Sequence, residues 1–228
     1  MVYFGIGAAL QKKAIYLLIN TLDASNCRRA VSLLLCSICI ALASLISACD
    51  RQTTAFHATD MTGASFGRLD ALDGLTDHTG RRIASADFTG RVVLVFFGYT
   101  HCPDICPTTL TTLQQTMQRL GADADRVQVL FVTLDPERDS QEALQAFVPW
   151  FDARFKGLRG DASTTQAVAQ EFRVFYAKVK GSDALGYSLD HSTASYVFDP
   201  RGRLRLMVQH GASPEALAED IRLLLAGK

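Results

Sequence analysis

The run VVLVFFGY at residues 92–99 carries no charge and is dense in β-branched and aromatic side chains. Apolar character on both sides of the alternation fits a strand buried on both faces, as in a sheet covered by helices on each side. A second run of this kind, VQVLFVTL at 127–134, ends at Asp135-Pro136. Between them, residues 108–120 place Leu110, Leu113, Met117 and Leu120 at the spacing of one helix face, with Gly121 as a natural stop. Two buried strands joined through a helix require an α/β layered fold.

The remaining elements extend this order. Residues 66–69 and the turn Asp77-His78-Thr79-Gly80 suggest a short hairpin before the main fold. Residues 140–151 read as a helix capped by Ser140, with Pro149 in its last turn. A short strand is expected at 158–160, and a helix at 163–172 capped by Ser163 or Thr164. Residues 176–179 read as a strand. Residues 196–198 and 204–209 flank the turn Asp199-Pro200-Arg201-Gly202 as a hairpin. Ser213-Pro214-Glu215 then opens a last helix running to about residue 225. The predicted fold class is α/β: a mixed central sheet flanked by helices in a thioredoxin-like layout, behind an N-terminal membrane-targeting segment.

Three regions are expected. Residues 1–49 read as an export signal: Arg28 and Arg29 precede an uncharged apolar run from 30 to 48. Its end, LISAC, resembles the lipobox of bacterial lipoproteins, with Cys49 as the lipidated residue. An uncleaved anchor helix is the alternative, since the run could just span a bilayer. Either reading tethers the chain to a bacterial inner membrane with its body facing the periplasm, an oxidising compartment. The signal needs nothing upstream of Arg28, so a true start downstream of Met1 is expected. Residues 50–65 read as a flexible spacer and 66–228 as the folded domain. Four of the 23 basic and one of the 23 acidic residues lie in the first 49, leaving the remainder mildly acidic. With no basic stripe, nucleic acid is excluded as a partner.

Four of the six cysteines (Cys27, Cys36, Cys39, Cys49) lie in or beside the apolar segment, so only Cys102 and Cys106 belong to the body. They stand four apart at a predicted helix start, where i and i+4 share a face. The helix N-terminus favours thiolate, and Pro107 removes no donor the helix needs. Such a pair can converge on one soft ion or close a disulfide. Two thiolates suit Cu(I), whereas Cu(II) also calls for imidazole. Spacing alone leaves the choice among His57, His78, His101, His191 and His210 open. His57 and His78 are expected to be solvated. Asp135, at the carboxyl end of a central strand, either tunes the cysteine site from behind its ligands or caps the turn that follows.

The segments FFGYTHCPDICPTTL, VLFVTLDPERD and DHSTASYVFDPRGRLRL together resemble the Sco/SenC family of copper proteins, over most of residues 66–225. The resemblance implies a copper site formed by Cys102, Cys106 and His191. It implies a metallochaperone that supports assembly of the copper site of cytochrome c oxidase. The implied partners are the copper-bearing subunit of that oxidase or another copper chaperone. A thiol–disulfide oxidoreductase acting through Cys102 and Cys106 is the alternative. Reductases of thioredoxin type usually place a proline opposite the cysteines, but none occurs between Pro149 and Pro200.

Overall fold

The computed structural model describes residues 55–180 and 186–228. Among the described residues there are nine strands: β1 (Thr59–Asp60), β2 (Thr76–Asp77), β3 (Val92–Gly98), β4 (Val127–Thr133), β5 (Lys156–Arg159), β6 (Tyr176–Lys180), β7 (Tyr187–His191), β8 (Ser195–Phe198) and β9 (Leu204–Val208). Four α-helices accompany them among these residues: α1 (Ile105–Leu120), α2 (Gln141–Phe151), α3 (Ala162–Glu171) and α4 (Pro214–Leu225). Seven strands form one mixed sheet in the order β1-β9-β8-β3-β4-β5-β2, while β6 and β7 pair only with each other. β3 is parallel to β4 and antiparallel to β8, and all seven residues of both β3 and β4 are buried. The two apolar runs therefore are the middle of the sheet. Among the described residues no helix is long and apolar enough to cross a membrane.

Several boundaries differ from expectation for identifiable reasons. α1 begins at Ile105, between the two cysteines and close to the predicted start. The first turn of a helix needs no internal donors, so Pro107 is no obstacle there. The buried face comprises Cys106, Leu110, Leu113, Met117 and Leu120 together with Thr109 and Thr116. α3 is capped by Asp161, whose carboxylate accepts the Thr164 N–H at 2.7 Å, not by Ser163 or Thr164. Ser140 and Ser213 cap α2 and α4 as expected, and α2 runs through Pro149 to Phe151.

Residues 66–69 form no hairpin strand, because Leu69–Leu72 is a turn of 3-10 helix. β2 pairs with β5, and Thr76 bridges Arg82 across the 77–80 turn. Part of the predicted spacer belongs to the folded body. β1 pairs with β9, and the N–H groups of His57 and Ala58 both donate to the buried Asp220 carboxylate at 2.9 Å. A two-residue polar edge strand leaves no periodic signal to read. The export signal and Cys49 lie outside the described residues.

Candidate metal centre

The site sits where β3 hands over to α1. Gly98 is the last residue of β3, and an added Cβ there would lie 2.8 Å from Cys106 Sγ. Glycine is thus required because the sulfur occupies that space. The 99–104 loop then turns the chain into the helix. Its Thr100 is held by the fully buried Asp139: the Thr100 N–H and hydroxyl donate to that carboxylate at 3.0 and 2.6 Å, and Thr133 donates to it from β4. Asp139 anchors the cysteine loop to the neighbouring strand, and sequence reading missed it. The available signal was a carboxylate just past the end of a buried strand.

Cys106 is fully buried and Cys102 half-buried, and both are free thiols. The Cys106 N–H at the head of α1 donates to Cys102 Sγ at 3.4 Å. The Cys106 thiol also hydrogen bonds to Cys102, and with help from the N–H groups at the head of the helix this holds the Cys102 pKa down to about 3 against burial. The same contact, then burial, pushes the Cys106 thiol up. The metal-free pair is therefore one thiolate at the surface and one thiol beneath it.

His191 completes the cluster from another element. It lies 3.6 Å from Cys106 Sγ through Nε2. Its Nδ1 is 2.8 Å from the Ser192 carbonyl oxygen, which can only accept, so Nδ1 carries the proton. Nε2 is left with a free lone pair toward the sulfurs, the form that ligates metals. Tyr99 meets the ring edge-on at 5.9 Å and Phe96 lies at 6.5 Å. The ligand atoms of Cys102, Cys106 and His191 all lie within 4.8 Å of one another. Two soft sulfurs and one imidazole nitrogen suit a copper ion in either oxidation state.

The structure places His191 at the end of β7, a strand absent from the predicted elements. The strand was missed because YSLDH carries few apolar residues, yet it alternates as strands do. Tyr187, Leu189 and His191 share one face by that alternation, while Asp190 on the other face is exposed.

The other histidines stand apart. His78 is buried, correcting the solvated reading: its Nδ1 accepts the Gly157 N–H at 3.0 Å. His57 pairs with Glu219 at 2.9 Å on an exposed surface, and His210 Nδ1 lies 3.1 Å from the Thr109 hydroxyl. His101 turns toward Thr100 and Asp139.

Asp135 is not one of the clustered ligands. Its carboxylate accepts the Tyr187 hydroxyl at 2.8 Å and bonds the Arg138 Nε, while its backbone carbonyl accepts the Arg138 and Asp139 N–H groups of the following turn. It shapes the turn and also reaches β7.

A cavity of about 620 Å³ lies between Phe66, Phe88 and the Arg201–Leu204 stretch, and neither cysteine nor His191 lines it. At the cluster, the half-exposed Cys102 is the sulfur that an incoming ligand group can reach, with Cys106 buried beneath it.

Known proteins resemble this chain. A family model described as SCO1/SenC matches residues 73–226. The mitochondrial SCO2 homologue of Bos taurus is 39% identical over 154 residues, covering 67% of this chain and 58% of that protein. The SCO2-like protein of Rickettsia conorii is 35% identical over 149 residues, covering 65% of this chain and 73% of that one. This chain thus spans under two thirds of the bovine relative's length. Among solved structures, copper-bound ScoI of Bradyrhizobium japonicum superposes with a TM-score of 0.62 at 33% identity, covering 70% of this chain and 98% of that one. Copper-bound yeast Sco1 gives 0.63 at 25% identity, covering 72% and 89%. The family match spans both halves of the cluster, the cysteine loop and the strand carrying His191, and the chain belongs to the SCO1/SenC family.

Proposed function

We propose that this protein binds copper through Cys102, Cys106 and His191 and passes it to a partner. The observation that carries this reading is the convergence of two sulfurs and one unprotonated imidazole nitrogen within 4.8 Å, with Cys102 half-exposed above the buried Cys106. The two thiolates hold Cu(I), and the imidazole adds the nitrogen that Cu(II) prefers. Solved relatives with copper bound support the choice of ion. Release follows from position: Cys102 is half-exposed, so a partner thiolate can reach an ion at its sulfur and replace the protein ligands stepwise.

The receiving protein we propose is the copper-bearing subunit of cytochrome c oxidase, with another copper chaperone as donor. Cys49 as a lipid anchor would keep the body at the inner membrane, on the periplasmic side where that subunit's copper site is built. The test is transfer. The Cu(I)-loaded full chain is mixed with the reduced, copper-free soluble domain of that subunit, and copper is followed by size separation and absorbance. Copper on the receiving domain supports the reading; copper retained by the donor at equilibrium contradicts it.

A thiol–disulfide reaction is the second reading, favoured by the half-exposed Cys102 thiolate over a buried Cys106 thiol. Cys102 would attack a partner disulfide and expel one partner thiolate. Cys106, losing its proton to that thiolate, would then displace the second. The partner gains two electrons and this pair becomes a disulfide. The same mixture started with an oxidised receiving domain distinguishes the readings by whether thiols appear there without copper.

A further inference from the structure

The three ligands belong to two separately hydrogen-bonded pieces. Cys102 and Cys106 stand on the β3–α1 junction of the seven-stranded sheet, whereas His191 ends β7 in the two-stranded sheet β6–β7. Among the described residues no ladder of backbone hydrogen bonds joins the two sheets. Something other than strand pairing must set the distance from His191 to the sulfurs.

The inward face of β7 makes that connection. Tyr187 donates its hydroxyl to Asp135 Oδ1 at 2.8 Å, and the Leu189 N–H donates to Tyr99 Oη at 3.3 Å. Arg138 joins these contacts. Its Nε bonds Asp135, its Nη1 donates to the Tyr187 carbonyl at 2.8 Å, and its guanidinium lies 3.7 Å over the Tyr187 ring. It also lies 5.7 Å from the centre of the Tyr99 ring, whose edge meets His191. The Asp135 side chain is 1% exposed and that of Arg138 18%, so this pair is largely removed from solvent screening. A β-strand is stiff along its length, and four residues span about 13 Å. A strand clamped at Tyr187 therefore carries a fixed position to His191.

We propose that Arg138 is a positioning residue for His191, and that it favours Cu(II) over Cu(I) by holding the imidazole against the two sulfurs. This rests on the copper reading above. Cu(I) is satisfied by the thiolates, which Arg138 does not touch, whereas Cu(II) calls on the imidazole. Lysine at this position keeps the charge but not the planar fork that bonds Asp135 and the Tyr187 carbonyl together.

The test uses the full reduced chain in detergent: wild type, Arg138→Gln and Arg138→Lys. Each is titrated with Cu(II), and with Cu(I) against a competing chelator. Groups that orient metal ligands typically change affinity by 10–100-fold, so Arg138→Gln should lose about that factor for Cu(II) and stay within about twofold for Cu(I). Arg138→Lys should fall between. In the metal-free protein, the nitrogen chemical shifts of His191 should report one Nδ1-protonated tautomer in wild type and a mixture in Arg138→Gln. Equal losses for both ions, or no loss for either, overturn the proposal. Should wild type bind neither ion, the copper reading fails on its own, and unchanged His191 shifts in Arg138→Gln then overturn the positioning role. If Arg138→Gln does not fold, Tyr187→Phe decides: a loss confined to Cu(II) supports the clamp, and unchanged affinities overturn it.

Discussion

Cys106 Sγ occupies the space that a side chain at Gly98 would need: an added Cβ would stand 2.8 Å from the sulfur and 2.9 Å from Phe131 Cε2. Both neighbours are fully buried, so neither can swing away cheaply. Gly98→Ala should therefore cost about 1–3 kcal/mol, the range for overpacking a core. It should also weaken Cu(I) binding, because the sulfur must move. Urea unfolding and chelator competition measure the two effects. An unchanged unfolding midpoint would contradict the packing account.

The thiol pair should show an unusual pH profile. The hydrogen bond from Cys106 and the helix N-terminus hold Cys102 ionised down to about 3. Its thiolate is therefore lost only as the pH falls through that value, far below the ordinary thiol range near 8.5. In metal-free protein, alkylation of Cys102 by iodoacetamide should be nearly flat from pH 8 to pH 5, while Cys106 stays unmodified. A rate falling about tenfold per pH unit across that range would contradict the assignment.

Acid should weaken the fold through Asp77, which sits at the sheet edge formed by β2 and β5. Burial alone would raise its pKa, but the Lys156 ammonium at 2.8 Å, the Thr79 hydroxyl at 2.6 Å and two backbone N–H groups hold it below the usual range. A carboxyl lowered on folding stabilises the fold fully above its unfolded pKa, about 3.9, and loses that contribution as the pH falls from there toward the folded value. The urea midpoint of wild type should drop below about pH 4. In Asp77→Asn it should be lower at pH 7 and fall less steeply in acid. Parallel profiles for the two proteins would rule Asp77 out as the acid-sensitive group.

The middle of this fold was legible because burial on both faces leaves a continuous apolar run, as in β3 and β4. The cysteine pair was legible for a similar reason, since strand, loop and helix start are consecutive in the chain. The third member of the cluster was not. His191 meets Cys106 across 85 positions of sequence, and no periodicity reports such a contact. Only likeness to a family singled it out among five histidines. Its strand was missed because β7 is held by Tyr187, Leu189 and polar contacts more than by apolar burial. Asp139 and Arg138 were overlooked because charged residues after a strand read as solvated turn, whereas here the Asp139 carboxylate is fully buried and the Arg138 guanidinium stacks on Tyr187.

The central claim is that His191 Nε2 and the two sulfurs act on one copper ion. The most direct measurement is copper affinity of the reduced full chain, wild type beside His191→Ala, for Cu(II) and Cu(I) separately, with the electron spin resonance of the Cu(II) form. The account predicts one ion per wild-type chain. It predicts a large loss of Cu(II) affinity and of nitrogen coupling in His191→Ala, with a much smaller loss for Cu(I). Equal Cu(II) affinity and an unaltered spectrum in the two proteins would contradict it.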